Sequence, residues 1–143
     1  MKTSINLLKQ YGNIDASDEK IIQLVKDHIG EVESTHDIGE EYKNITIAQV
    51  VEKETHPDSE KLGIYKIDIG GENHIQVVAG DRELPIGAKV AYLAPGATVP
   101  SSVNSQEKPF VIKAIKLRGV ESHGMLGSAR ELNIGNDHNR VLI

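Results

Sequence analysis

The chain has 143 residues, with 38% hydrophobic and 26% charged side chains: the length and mixture of one folded domain, alone or with a short appendage, and not of a disordered chain. It contains no cysteine, which excludes a disulfide scaffold, a Cys-ligated zinc site and a thiol nucleophile, and no apolar run approaches the roughly 20 residues of a membrane-spanning helix. The formal net charge of −5 excludes a generally basic nucleic-acid binder, so any such contact must come from a local patch.

The opening MKTSINLLKQYG turns polar too soon for a secretory signal. Ser4 is placed to cap a short helix through Tyr11, ended by Gly12-Asn13. Asp15 or Ser17 caps a second helix, with Asp18 and Glu19 in its first turn, where the helix dipole favours them. Ile21, Ile22, Leu24, Val25 and Ile29 form its apolar stripe, and Gly30 stops it. Residues 1–39 carry 4 basic and 7 acidic side chains. So small a helical segment buries little surface alone and is expected to pack on the outside of the strand-rich remainder of the chain.

From Asn44 the texture changes to short strands. Asn44–Lys53 is rich in β-branched residues, and Gly63–Ile69 alternates with Tyr65, Ile67 and Ile69 on one face. Gly70-Gly71 turns the chain into a second alternating run, His74–Ala79, which predicts a hairpin. Lys89–Ala94 and Val111–Leu117 are two more strands, and Ser101–Lys108 reads as an exposed loop. Five short strands within residues 40–143 predict a small closed barrel or a sandwich.

The common enzyme motifs are missing: no P-loop, no GxGxxG, no HExxH and no GxSxG. The histidines at 28, 36, 56, 74, 123 and 138 lack metal-ligand spacing, and Glu40-Glu41 and Glu52/Glu54 read as solvated carboxylates. Two segments carry more. In His56-Pro57-Asp58-Ser59-Glu60-Lys61-Leu62, Pro57 biases His56 toward extended backbone, Asp58 can cap the turn and Leu62 can plug a barrel end. Alternatively, His56 and Lys61 project toward a ligand. The second segment, Lys108 to Met125, holds four basic residues and no acid as far as Val120. On a strand, Lys116 and Arg118 share a face and Lys113 takes the other. That run is either a solvated edge strand, where Lys blocks aggregation, or, with Ser122, His123 and backbone near Gly119 and Gly124, a phosphate-contacting surface.

Taken together, HPDSEKL, VVAG, LAPGATVP and KLRGVESHGML before SARELNI resemble the tRNA-binding domain appended to several aminoacyl-tRNA synthetases. The N-terminal context, MKTSINLLKQYGNID, IGEVES and IGEEYKNITIAQVVEKETHPD, is similar to the start of the bacterial phenylalanyl-tRNA synthetase β subunit. Departures from that pattern are Ser59-Glu60 for a more usual Ala-Asp, Gly80-Asp81-Arg82 for a Gly-Ala-Pro-Asn-like turn, and Gly127 at a common Cys position.

The resemblance implies a five-stranded barrel of the oligonucleotide/oligosaccharide-binding (OB) class at 40–143, and an incomplete helical segment at 1–39. It implies contact with tRNA through Lys61, Lys113, Lys116, Arg118, Ser122, His123, Met125 and Arg130, with no catalytic or metal-ligating residue in this chain. Whole β subunits are several times longer, carrying editing, catalytic-like and anticodon-binding domains, so the chain reads as the N-terminal part of one. The parent would be a cytoplasmic α2β2 enzyme that attaches phenylalanine to tRNA with ATP and magnesium, with catalysis in the α subunit; membrane and DNA are not expected partners. A freestanding tRNA-binding or chaperone-like homodimer, and a protein-docking appendage with negligible RNA affinity, are the alternatives. With only Tyr42, Tyr65, Tyr92 and Phe110 as barrel aromatics, contacts to the shape and phosphates of folded RNA are favoured over base stacking.

Overall fold

The structure, a computed structural model, describes residues 2–103 and 108–143. It divides into two compact units, Met1–Asp37 and Ile38–Ile143. In the first, Ser4 Oγ accepts the Leu7 N–H at 3.4 Å and caps helix α1 (Ile5–Gly12). Asn13, with φ of 48°, ends it, as one of the few residue types at ease in the left-handed region. Helix α2 (Asp18–His28) is capped by Ser17, not Asp15, through a 3.3 Å bond from the Lys20 N–H. Of the described residues in this unit, only Ile21 is buried.

The second unit begins with a single helical turn, α3 (Ile38–Glu41), and a long strand, β1 (Ile45–Thr55). The first part of β1, Ile45–Gln49, pairs antiparallel with β4 (Lys89–Leu93). The remainder, from Gln49, pairs antiparallel with β2 (Gly63–Asp68). The register shifts between Val50 and Glu52, a bulge that bends β1 so that one strand serves two neighbours around a curve. β2 turns through Gly70, at φ of 85°, into β3 (Ile75–Ala79), and β4 pairs with the two-residue β7 (Met125–Leu126). The sheet order is therefore β3-β2-β1-β4-β7.

A separate hairpin, β5 (Ala114–Leu117) and β6 (Val120–His123), closes most of the gap. The Val78 N–H of β3 donates to Ser122 Oγ at 3.0 Å, and Gln76 Nε2 donates to the Glu121 carbonyl at 2.8 Å. The result is a nearly closed antiparallel barrel, as the turn spacing and alternation predict.

Alternation sorts the apolar side chains into two clusters. Ala48, Val50, Tyr65, Ile67, Val77, Val90, Tyr92 and Leu126 fill the barrel. The opposite face of β4, Ala91 and Leu93, packs with Ala97, Val99, Ile112 and Leu132. β4 is thus buried on both faces and reads as a continuous apolar run.

Two expectations need correction. Val111–Leu117 is not one strand: Val111 only bridges Thr98, and Ile112 exchanges bonds of 2.8 Å with Gly96 and Ala97 before the chain leaves to pair with β6. β6 and β7 carry no legible strand pattern because they are short and come directly after glycine turns. Ser101–Lys108 is not all loop, since Pro100–Val103 forms the helical turn α4; its positions 104–107 lie outside the described residues.

Candidate nucleic-acid interface

The His56–Leu62 turn links β1 to β2. His56 is 3% exposed and uses both ring nitrogens. Nδ1 accepts the Asp58 N–H at 3.1 Å and Nε2–H donates to the Leu117 carbonyl at 3.1 Å, an assignment that makes the ring neutral. His56 is therefore a buried tie between this turn and β5, and does not project to a ligand. Lys61 is exposed, and its own N–H donates to Ser59 Oγ at 3.3 Å.

Leu117 and Val120 pair across a two-residue turn in which Arg118 and Gly119 both have positive φ, 46° and 87°. Hairpin turns of this hand match strand twist, but Arg lacks glycine's freedom there, and such strain concentrates at functional positions. The turn removes Arg118 from strand alternation, so Lys116 and Arg118 do not form one strand face. Instead Arg118 Nη1 donates to the Asp58 carbonyl at 3.1 Å, while Arg82 Nη1 donates to the Glu60 carbonyl from another loop. The Thr55–Glu60 turn, Arg82 and Arg118 line an open groove of about 520 Å³.

The basic run is less basic in space than along the chain. Glu121, one residue past the acid-free stretch, pairs in register with Lys116 and lies 3.3 Å from its Nζ and 3.7 Å from His123 Nε2. Lys113 and Arg130 are exposed, and with Lys61 they make no ion pair among the described residues. Ser122 is not an available donor: it is 1% exposed, accepts the Val78 N–H and donates to the Gly124 carbonyl at 3.0 Å. Met125 is half-buried against the second cluster.

Gly124 is required for packing. A Cβ there would lie 2.5 Å from the Leu93 carbonyl oxygen and from the Tyr92 ring, at φ of 109°. Tyr92 donates its hydroxyl to the His123 carbonyl at 2.7 Å, and Tyr65 donates to the Asp81 carbonyl at 2.6 Å. Burial pushes both phenols up, and for Tyr65 the Asp81 charge adds to it.

Asp81 and Arg82, which the sequence marks only as a departure from the family turn, hold the structure here. Asp81 is buried and accepts the Glu83 N–H at 2.9 Å, the Val141 N–H at 3.2 Å and Arg140 Nε at 3.3 Å. Burial opposes its ionisation, but the Glu83 and Val141 amides and the Arg140 guanidinium outweigh that and hold the carboxyl below its ordinary range. The one available signal was the presence of two charged residues where the family pattern has none.

Residues 45–143 match the family model described as "Putative tRNA binding domain". The phenylalanine–tRNA ligase β subunit of Oceanobacillus iheyensis is 39% identical over 136 residues, covering 94% of this chain and 16% of that protein. That of Fusobacterium nucleatum is 34% identical over 143 residues, covering 100% and 17%. Among solved structures, the C-terminal domain of Plasmodium vivax p43 is 30% identical with a TM-score of 0.44, covering 58% of this chain and 44% of that one. The chain spans only 16–17% of the length of these two curated relatives.

Proposed function

The chain belongs to that tRNA-binding domain family, and from this premise we propose that it is the tRNA-binding module of a phenylalanine–tRNA ligase β subunit. The observation that carries the reading is the family match over 45–143, joined to β-subunit similarity that extends through the N-terminal helices. The parent enzyme would attach phenylalanine to tRNA with ATP and magnesium, in the cytoplasm, with an α subunit holding the catalytic site.

The module's own part is to hold RNA. Lys61, Lys113 and Arg130 offer uncompensated cations, and Lys116 and His123 share theirs with Glu121. Tyr65 and Tyr92 are buried with their hydroxyls bonded inside, and of the barrel aromatics only Phe110 is exposed, so stacking is limited to one ring. Contact is therefore mainly with phosphates, which position RNA without reading its sequence. Net negative charge makes the binding weak, on the order of micromolar at physiological salt.

Fluorescence anisotropy of labelled tRNA across a salt series tests this. A log–log slope of roughly −2 to −4 is expected, flattened by about 1.5 in K113A/K116A. An unchanged slope in that variant would favour a protein-docking appendage. A tight dimer on size measurement would favour a freestanding homodimer.

A further inference from the structure

We propose that the groove beside the Thr55–Glu60 turn takes one ribonucleotide of the bound RNA, its phosphate between Arg82 and Arg118 and its 2′-hydroxyl donating to the carboxylate of Asp58 or Glu60. This rests on the tRNA-binding reading and adds to it a place, a residue and a sugar preference.

The first support is how the two cations are held. Each guanidinium gives one N–H to a main-chain carbonyl of the turn, Arg118 to Asp58 and Arg82 to Glu60. Neither is in an ion pair among the described residues. A guanidinium has five N–H donors in a fixed fork, so each keeps donors and its full charge after anchoring. Two cations oriented in advance by carbonyls, and neutralised by no carboxylate, suit capture of an anion with little ordering cost.

The second support is that the groove's frame is tied down. His56 spans it from within, bonded to Asp58 on one side and to Leu117 on the other. Leu117 directly precedes Arg118, whose φ of 46° the hairpin turn imposes. His56 thus acts as a positioning residue for Arg118.

The third support is the mixture of charges. Asp58 and Glu60 are exposed along the same groove and make no ion pair among the described residues. A bare phosphate would be repelled by them. A ribonucleotide uses both signs, because its 2′-hydroxyl is a donor that a carboxylate accepts, and that hydroxyl is what distinguishes RNA from DNA at a given site.

The test uses the 143-residue chain, a short labelled RNA oligonucleotide and its 2′-deoxy counterpart of the same sequence. R82Q removes the charge and leaves a shorter amide with two N–H donors. It should weaken RNA binding roughly fivefold and flatten the salt slope by about 0.7–0.9. The parent should prefer RNA over DNA by roughly threefold to tenfold, and D58A/E60A, which removes both acceptors, should bring that ratio close to one while tightening DNA binding. A ratio is used because deleting two negative charges strengthens both oligonucleotides alike, whereas only a lost hydroxyl contact changes their quotient. Equal binding of RNA and DNA by the parent would overturn the sugar contact. If R82Q binds like the parent while K113A/K116A loses affinity, the groove is not an RNA site, yet the tRNA-binding reading stands. If the parent binds neither oligonucleotide nor tRNA, that reading fails with it.

Discussion

In the N-terminal unit, Ser4 and Ser17 cap two helices and Asn13 closes the first, yet Leu7, Leu8, Tyr11, Leu24 and Ile29 stay exposed. In the barrel unit, the short strands have no caps of this kind, yet two apolar clusters run from Ala48 to Val141. Helices of 8 and 11 residues lie below the roughly 12–15 at which isolated helices become even marginal in water. Caps worth about 1 kcal/mol each do not change that. Buried side chains contribute about 1.5–3 kcal/mol apiece. Local correctness and stability are therefore separate quantities in this chain, one highest in the helices and the other in the barrel.

The comparison can be broken most severely in the core. Leu93 is fully buried, so Leu93→Ala should lower the unfolding free energy by about 2–5 kcal/mol in urea denaturation. Gly124→Ala should cost a similar amount, because its Cβ meets the Leu93 carbonyl and Tyr92 ring and the backbone is left-handed there. Leu24→Ala, at a site 40% exposed, should cost less than about 1 kcal/mol. If the two leucines cost the same, the distinction between the units is wrong.

A smaller effect concerns the tie at Asp81. Asp81→Asn should destabilise the barrel by about 2 kcal/mol at neutral pH, since Arg140 and two amides lose a buried anionic acceptor. The folded-state carboxyl is held down, so its contribution is complete above the unfolded value near 3.8 and is lost as pH falls through the lower folded value. The gap in urea midpoint between parent and D81N should therefore close in acid. A gap independent of pH would mean that shape, not charge, holds Arg140 and Val141.

The smallest effect sharpens the comparison from the helical side. Ser17→Ala should cost α2 about 1 kcal/mol. Amide exchange should show it as faster exchange within Asp18–His28, with barrel amides unmoved. Parent amides in α1 and α2 should already exchange faster than those of β1, β2 and β4. Uniform slow exchange across both units would contradict this.

The legible parts of the fold were those governed by a few neighbouring residues. β-branched content marked β1, and period-two alternation marked β2 and β3 and put Tyr65 and Ile67 inside; serine and asparagine marked helix ends; glycine and proline marked turns. The basic run from Lys108 to Arg118 was legible too, and with it the candidate interface in outline. What tertiary structure alone decided lies at long sequence separation. Closing of the barrel sent Ser122 inward to the Val78 amide, 44 residues away. The bonds from Arg82 to Glu60 and from Arg118 to Asp58 span 22 and 60 residues, and His56 reaches Leu117 across 61. Each joins a side chain to a main-chain carbonyl or amide, and every residue carries a carbonyl. Residue identity therefore does not say which carbonyl will be met; only the closing of the barrel does.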